Sequence, residues 1–311
     1  METRTAKMNA GQDRSNEPIV RVGAVSYLNT KPLIHRFAEF APQAELVLDV
    51  PSRLADRLFA DEQLSKGSTG SELPVAPMDS ALAESMAPAK LDVALIPVIE
   101  LFGKPGYRVL ADACIACRGP VLSVKLFCRV AADEIRTLAL DEGSRTSAAL
   151  VQILLHERFG IRPDLQLLPL GASVADTSAD AVLLIGDRSI HPPRGPFEEV
   201  WDLGEEWIAH TGLPFVFAAW VARADVDLAG VERALVAARD SGVAHLEEIA
   251  NAEAAKVGLT RAECLAYLRD NLHFYLGERE QQGLERFYEL ASQLGLAPSG
   301  VDIDYFPCQL A

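Results

Sequence analysis

RVGAVSYLNTKPL, residues 21–33, joins an apolar run directly to a segment that contains a proline and further apolar residues. Arg21–Leu28 predicts a buried strand, and Pro32–Phe40 predicts a helix with proline near its first turn. A strand that passes straight into a helix is typical of α/β folds, whose ligands bind beyond the carboxyl ends of the strands. We therefore expect Asn29, at this junction, to face a ligand cleft.

Asn29 carries an amide that both donates and accepts hydrogen bonds, which suits a hydroxyl or a carboxylate of a small ligand. Ser26 and Tyr27 precede it in the same segment and are further candidates for ligand contact. An asparagine or a threonine at the start of a helix is also a common N-cap. The spacing alone leaves both interpretations of Asn29 open.

The rest of the chain continues this alternation of apolar runs and amphipathic helices. The predicted further strands are Glu45–Val50, Leu91–Pro97, Val121–Val130, Arg136–Leu140, Ala181–Ile185 and Phe215–Val221. One predicted helix opens at Pro51 with Ser52 as N-cap, and another covers Ala148–Phe159. Three more are predicted near 231–249, 260–270 and 278–294, in a C-terminal part for which no strands are predicted. This order predicts an α/β clamp of two lobes with a helical C-terminal segment.

Two long predicted strands, 121–130 and 215–222, bracket the second block of elements and are suited to carry the chain between the lobes. Lobe 1 is therefore expected at residues 20–127 plus 222–311, and lobe 2 at residues 128–221. Clefts between hinged lobes are favoured sites for small ligands, and their closure excludes water.

Two segments do not fit this pattern. Residues 63–90 are rich in Ser, Ala, Pro and Gly, show no sustained period, and are interpreted as an inserted surface loop of lobe 1. Residues 1–19 are interpreted as a disordered tail because they are polar and lack the apolar core of a secretory signal. The expected compartment is therefore the cytoplasm.

The composition, with 49% hydrophobic and 23% charged residues, is that of a soluble globular protein. The formal net charge of −15 argues against nucleic acid and anionic membranes as partners. No apolar stretch reaches the roughly 18 residues that a membrane span needs. An anionic small molecule is compatible with this charge only where the site is locally positive.

Five cysteines, few and odd in number, fit reduced thiols better than a disulfide framework: Cys114, Cys117, Cys128, Cys264 and Cys308. Cys114 and Cys117 form a C-x-x-C, but a zinc site would need a second pair or nearby histidines, which the sequence does not place close by. A redox pair would open a helix, whereas this pair precedes Gly119-Pro120 and another predicted strand.

DEGSRTS, residues 141–147, follows one predicted strand and opens a helix. The free amides of a helix start, together with the hydroxyls of Ser144, Thr146 and Ser147, favour an anion site. Arg145 can add a bidentate contact to a carboxylate. The alternative is an ordinary helix cap followed by a solvated arginine.

Further candidates follow other strands. Ser123, in CRGPVLSV after the Gly119-Pro120 turn, is either a ligand contact or a strand serine on a hydrogen-bonded edge. Gly186 and Asp187 end the strand LLIGD, where Asp187 is either a ligand contact, a cap, or a partner of Arg188. The aromatic stretch TGLPFVFAAW, residues 211–220, favours a buried strand, although its first turn is placed to border the cleft.

The sequence contains no P-loop, G-x-G-x-x-G, H-E-x-x-H or G-x-S-x-G motif, so the motifs do not support nucleotide or metal chemistry.

Six segments in order resemble the chorismate dehydratase family of menaquinone biosynthesis by the futalosine route: VGAVSYLNTKPL, LDVALIP, GPVLSV, LALDEGSRTSAALVQILL, AVLLIGD and DLGEEWIAHTGLPFVFAAW. The resemblance runs from about Arg21 to about Leu296 and omits the segment 63–90. Ala116-Cys117 stand where many relatives have a small polar residue. The resemblance implies a fold like that of type II periplasmic binding proteins, in a cytoplasmic enzyme.

The resemblance also implies an activity, the removal of water from chorismate to give 3-(1-carboxyvinyloxy)benzoate, without a metal or an organic cofactor. The family's cleft asparagine and serine fall on Asn29 and Ser123, and its carboxylate-binding helix start falls on Ser144–Ser147. Because the product ring is aromatic, the reaction is strongly downhill, and the protein has to hold both carboxylates, orient the ring and exclude water.

No well-placed Asp, Glu or His is evident for proton abstraction, which suggests a carboxylate of the substrate itself as the base. Two alternatives to the dehydratase remain at this point. One is a clamp that binds a small anion without converting it. The other is the enzyme of the same route that forms dihydroxynaphthoate, whose family usually has a Pro- and Cys-containing segment with Asn-Asp where this chain has SYLNT.

Overall fold

A computed structural model describes residues 19–60, 90–191, 193–228 and 230–305. The predicted disordered tail over residues 1–19 and the predicted inserted loop over residues 63–90 lie outside the described residues, except for Ile19 and Lys90.

The described residues form eleven strands: β1 (Val20–Val25), β2 (Ala44–Asp49), β3 (Val93–Pro97), β4 (Tyr107–Cys117), β5 (Val124–Cys128), β6 (Thr137–Asp141), β7 (Asp164–Leu168), β8 (Ala181–Ile185), β9 (Glu199–Asp202), β10 (Phe215–Arg223) and β11 (His273–Tyr275). One sheet has the order β11-β4-β10-β3-β1-β2 and the other has the order β7-β6-β8-β5-β9. Each sheet is the centre of one lobe. Both sheets are mixed, since β10 is antiparallel to β3 and β4, and β5 is antiparallel to β8 and β9.

Nine α-helices are found in the described residues: α1 (Phe37–Phe40), α2 (Pro51–Leu58), α3 (Arg145–Phe159), α4 (Asp187–Ile190), α5 (Leu203–Thr211), α6 (Val231–Ala244), α7 (Leu246–Glu253), α8 (Arg261–Ala266) and α9 (Glu278–Gln293). Five 3-10 segments occupy Leu28–Ile34, Val98–Gly103, Ala132–Glu134, Val174–Asp176 and Ala254–Val257, and a π-helical turn occupies Tyr267–Asn271. Within the described ranges, no helix combines the length and the apolar character that crossing a membrane requires.

The sheets divide the chain differently from the predicted lobe boundaries. β5 belongs to the second sheet although its first residues were assigned to lobe 1, and β10 belongs to the first sheet although it was assigned to lobe 2. The chain therefore crosses between the sheets after β4 and again before β10. The crossing segments are the turn around residues 118–123 and the end of α5, not the two long predicted strands.

Four strands were missing from the sequence prediction: β4, β7, β9 and β11. β4, the longest strand, was not predicted, and it pairs with β10 on one side and β11 on the other. β11 lies in the C-terminal part that was expected to be purely helical, so that expectation is wrong. With three residues it is too short to give a recognisable alternating pattern.

Three helix starts also differ from prediction. The segment after β1 is a 3-10 helix with Pro32 inside it, because proline has no N–H for an α-helical hydrogen bond. α2 begins at Pro51 with Val50 as N-cap, so Ser52 is a buried helix residue and not the predicted cap. α3 begins at Arg145, three residues before the predicted start at Ala148.

The C-terminal helices support the segment that carries Asn29. A Cβ on Gly242 of α6 would lie 2.0 Å from the carbonyl oxygen of Pro32. Only a glycine permits this close approach of the two backbones. The helical C-terminal part thus packs on the first lobe directly behind the predicted site.

The thiols of Cys114 and Cys117 lie on β4 and are both buried. Residues three apart on a strand point to opposite faces, so the two thiols do not converge. Burial raises the pKa of Cys114, and it raises the pKa of Cys117 to about 12. These properties are those of core residues, since a reactive cysteine has a lowered pKa and is accessible.

We expect the four described cysteines to be unreactive towards a thiol reagent at pH 8 in the native protein, because burial keeps each of them protonated. The measurement uses a Cys308→Ser variant, since Cys308 lies outside the described residues. All four thiols should react once denaturant is added. Rapid labelling of Cys114 or Cys117 before unfolding would contradict their assignment to the core.

Candidate active site

A cleft with about 510 Å³ of empty space lies between the two sheets, at the ends of β1 and β3 and beside the start of α3. Clefts between two lobes, beyond the ends of strands, are favoured sites for small ligands. Eight of the ten residues predicted for the site line it: Tyr27, Asn29, Ser123, Ser144, Arg145, Thr146, Ser147 and Gly186. The remaining lining residues are Val25, Pro51, Pro97, Ile115, Val121, Val124, Gly143, Ile185, Phe217 and Ala218.

A larger and more open depression, with about 1270 Å³ of empty space, lies among the C-terminal helices and β11. It is lined by residues of the ranges 243–248, 265–269 and 272–275 and contains none of the predicted site residues. The cleft between the sheets is the better candidate, since strand ends, a helix start and several hydroxyls converge there.

Asn29 lies in the 3-10 helix that follows β1, and its side chain is half-buried at the cleft wall. The N-cap of this helix is Tyr27, and no side chain makes a capping hydrogen bond. The alternative interpretation of Asn29 as a helix cap therefore does not apply. Its Oδ1 accepts a long hydrogen bond from Thr30 Oγ1, at 3.3 Å, which leaves most of the amide's hydrogen-bonding capacity for a ligand.

Tyr27 reaches from the first lobe onto Gly186 of the second. A Cβ on Gly186 would lie 2.9–3.0 Å from three ring carbons of Tyr27, and the φ of Gly186 is +69°. Glycine is therefore required at position 186 for both space and backbone conformation. Burial, followed by the charge of Asp141, raises the pKa of Tyr27 to about 12, so its phenol is protonated at neutral pH and can donate a hydrogen bond.

Ser123 lies in a turn just before β5 and not within the predicted strand Val121–Val130. The backbone N–H groups of Val121 and Leu122 are bonded to the carboxylate of Asp202, at 2.8 and 2.7 Å, and so are not available to a neighbouring strand. Leu122 has a φ of +60°, a conformation that costs a residue other than glycine about 1–3 kcal/mol. Ser123 itself is only 1% exposed and faces the cleft.

The hydroxyl of Tyr267 is buried and has no well-formed hydrogen bond to any residue that the structure describes. Burial raises its pKa, and the side chain of Ser123 opposes this shift. The side chains of Tyr267 and Ser123 are therefore neighbours. Sequence reasoning missed it because it lies in the C-terminal helical part, 144 positions from Ser123 in the numbering.

The start of α3 presents hydroxyls and unpaired amides to the cleft. Ser144 is its N-cap residue, but its side chain makes no capping hydrogen bond. Thr146 Oγ1 accepts a long hydrogen bond from the N–H of Ile99 in the first lobe, at 3.4 Å, and Ser147 is buried at the cleft wall. A helix start of this kind favours an anionic group.

Arg145 is not the solvated arginine of the alternative interpretation. Its Nη2 bonds both carboxylate oxygens of Asp56, at 2.9 and 3.0 Å, and its Nη1 lies 3.2 Å from Oε1 of Glu100. Both carboxylates belong to the first lobe, whereas Arg145 opens α3 in the second. The guanidinium therefore links the lobes at the edge of the cleft, with 35% of its side chain exposed.

Asp141 joins the two loops of the second lobe that line the cleft. Its carboxylate accepts hydrogen bonds from the N–H groups of Gly143 and Ile185, at 3.0 and 3.1 Å, and pairs with Arg188. Arg188, one of the alternatives considered as a partner of Asp187, pairs with Asp141. DEGSRTS contains Asp141, but the sequence alone did not indicate that it binds a loop 44 residues away.

Ser26 and Asp187 are the two predicted site residues that do not line the described cleft. Ser26 is exposed, and its N–H bonds the carbonyl of Asp49. Asp187 accepts a hydrogen bond from the N–H of Leu28, at 3.1 Å, and so links the lobes. The Thr211–Pro214 turn does not line the cleft either, whereas Phe217 and Ala218 of the same stretch do.

Comparison with known proteins agrees with this geometry. The model of the menaquinone biosynthesis family matches residues 75–293. A chorismate dehydratase from Thermus thermophilus is 35% identical over 207 residues, which are 61% of this chain and 75% of that protein.

Two solved structures show the same fold at low sequence identity. A protein from Archaeoglobus fulgidus has a TM-score of 0.62 at 17% identity, covering 89% of this chain and 98% of its own. The periplasmic aliphatic sulphonate binding protein from Escherichia coli has a TM-score of 0.54 at 15% identity, covering 93% and 91%. The predicted two-lobed α/β fold of the periplasmic-binding-protein kind is confirmed. With the family model spanning most of its length, the chain belongs to the menaquinone biosynthesis family.

Proposed function

We propose that this protein is a chorismate dehydratase, a hydro-lyase that removes water from chorismate to give 3-(1-carboxyvinyloxy)benzoate. The observation that carries the proposal is the cleft itself: Asn29, Ser123 and the start of α3 converge on it. The name and the 35% identity of the Thermus thermophilus relative support the choice of substrate. The cytoplasmic location expected from the sequence is part of the same proposal.

Chorismate is a dianion, and the protein carries a formal net charge of −15. Binding therefore requires local positive potential, which the amides and partial positive charge at the start of α3 supply. Arg145 contributes once a carboxylate of chorismate displaces Asp56 or Glu100 from its guanidinium. The apolar wall, which includes Ile115 and Phe217, is suited to the ring. Together these groups orient the ring and exclude water from it.

The lining lacks a side chain that is a base at neutral pH. Among the described residues at the cleft wall there is no Asp, Glu or His, and the phenol of Tyr27 has a pKa of about 12. We infer that a carboxylate of chorismate takes the proton from the ring carbon that bears the ether oxygen. The ring hydroxyl leaves as water after it accepts a proton, and Asn29 and Ser123 are placed to hold this hydroxyl or relay that proton. In total, chorismate loses one proton and one hydroxide, which together make one water.

Incubation of the purified protein with chorismate tests the proposal, with products identified by mass spectrometry and proton NMR. The expected product has the mass of chorismate less one water and an aromatic ring. A Ser123→Ala preparation, purified identically, controls for contaminating enzymes. Binding of chorismate without loss of water would instead support a clamp that only holds an anion.

Tyr267→Phe is expected to separate stability from activity. Removal of a buried hydroxyl that lacks a good partner should leave Tm unchanged or raise it. The rate constant kcat should fall about 3- to 10-fold, because Ser123 loses the polar group that lies next to its side chain. Calorimetry and initial rates measure the two effects. A Tm lowered by more than about 4 °C, about 1 kcal/mol or more, would show that this hydroxyl is satisfied in the folded protein.

A further inference from the structure

The turn that carries Ser123 is held in an unfavourable conformation by contacts from another element. Leu122 is one of two residues other than glycine with positive φ in the part of the chain that the structure describes, the other being Arg36. A side chain at such a φ is disfavoured, so the turn would relax without an external restraint. Leu122 lies immediately before the predicted catalytic serine.

Asp202 supplies that restraint with both carboxylate oxygens. Its Oδ1 accepts from the N–H of Val121 at 2.8 Å, and its Oδ2 accepts from the N–H of Leu122 at 2.7 Å. The same Oδ1 also caps α5 through the N–H groups of Gly204 and Glu205. Hydrogen bonds to an ionised acceptor are the stronger class, and here one carboxylate receives four of them.

Gly204 makes this approach possible. A Cβ at position 204 would lie 2.5 Å from the carbonyl oxygen of Gly119, 2.6 Å from Sγ of Cys117 and 3.1 Å from the N–H nitrogen of Val121. The start of α5 can therefore press against the turn only because residue 204 has no side chain. Asp202 and Gly204 act together, one binding the turn and the other making room for it.

Ser123 is fixed at its other end as well. Its carbonyl accepts from the N–H of Gly186 at 2.9 Å, next to the contact between Gly186 and Tyr27. The backbone of Ser123 is thus fastened to the cleft loop on one side and, through Leu122, to Asp202 on the other. These two attachments fix the direction of the Cα–Cβ bond of Ser123, which carries the hydroxyl.

We propose that Asp202 is a positioning residue, which holds the Val121–Ser123 turn in its strained conformation and so aims the hydroxyl of Ser123 at the substrate. The inference rests on the proposed function. It goes beyond it by assigning to Asp202 a role that a helix cap alone does not have. Asp202 does not line the cleft and acts only through the turn.

The variant Asp202→Ser separates the two roles of the carboxylate. Serine is a good N-cap, so α5 keeps its cap, but a single hydroxyl cannot bind the N–H groups of both Val121 and Leu122. We expect kcat to fall about 30- to 100-fold with KM within about 3-fold of the wild type, because a displacement of about 1 Å at a reacting group costs about 100-fold. Tm should fall, because two backbone N–H groups lose a charged acceptor, but relaxation of the strained turn should offset part of this loss.

Rescue by Leu122→Gly in the Asp202→Ser background is the decisive comparison. Glycine adopts a φ of +60° without strain, so the turn no longer depends on the carboxylate. The double variant should regain at least about 10-fold of the lost kcat, and Leu122→Gly alone should resemble the wild type. An Asp202→Ser enzyme with normal kcat, or a double variant as slow as Asp202→Ser, would overturn the proposal.

A measurement without substrate tests the restraint of the turn by Asp202 independently of the proposed activity. In the wild type, the amide hydrogens of Val121 and Leu122 should exchange slowly although they lie outside any strand, because both are bound to Asp202. Fast exchange at both positions would overturn the proposal even where no turnover is seen. Absence of wild-type turnover together with slow exchange would contradict the proposed function and leave the restraint by Asp202 supported.

Discussion

Alanine at position 29 or at position 123 should lower kcat on chorismate by about 100-fold or more, the usual effect of removing one group that stabilises a transition state or transfers a proton. Both side chains border the cleft, where the wall offers no carboxylate or imidazole that could replace them among the described residues. Stability should be nearly unaffected, because within the described residues the Asn29 side chain makes a single long hydrogen bond, to Thr30, and Ser123 is held mainly through its backbone.

The matched control is Asn251→Ala, which removes an exposed asparagine of α7 and should behave as the wild type. Initial rates over a range of chorismate concentrations, together with Tm from calorimetry, separate the effects on catalysis from those on folding. Full activity in both Asn29→Ala and Ser123→Ala would remove these residues from the site. A loss of activity that parallels a large loss of Tm would assign them to the fold instead.

The sequence predicted the parts of the fold that depend on local pattern. β1, β3 and β8 are found within a few residues of their predicted positions, because each is a short, nearly continuous apolar run. β11 has no such pattern, and its pairing with β4 depends on contacts between residues more than 150 positions apart. The lobe boundaries were misplaced for the same reason, since sheet membership is a non-local property.

In the candidate site, too, the residues that depend on local pattern were predicted and those that depend on distant contacts were not. Asn29 and Ser144–Ser147 lie at the end of a strand or at the start of a helix, and such positions can be found from the chain alone. Asp202 and Tyr267 act on Ser123 from distant parts of the sequence and could not be found in this way. The strand predicted through Ser123 failed because a carboxylate about 80 residues away binds the N–H groups that a strand would need.

Arg145→Ala should raise KM for chorismate about 10-fold or more while kcat changes little, because loss of a charged hydrogen bond to a carboxylate costs about 1.5–3 kcal/mol and acts mainly on binding. In the structure the guanidinium is held by Asp56 and Glu100. A substrate carboxylate must therefore compete with two carboxylates of the first lobe. Arg145→Lys should recover only part of the loss, since lysine lacks the planar fork that binds a carboxylate through two hydrogen bonds.

Asp56→Asn distinguishes a ligand for the substrate from a link between the lobes. If Arg145 binds chorismate, removal of the competing charge at position 56 should lower KM, by about 2- to 3-fold for a half-exposed pair worth less than about 1 kcal/mol. The decrease should shrink as salt is added, because ions screen an exposed pair. If Arg145 serves only to join the lobes, Asp56→Asn should raise KM as Arg145→Ala does. Whether KM falls or rises in Asp56→Asn therefore decides whether the guanidinium of Arg145 binds the substrate or only holds the two lobes together.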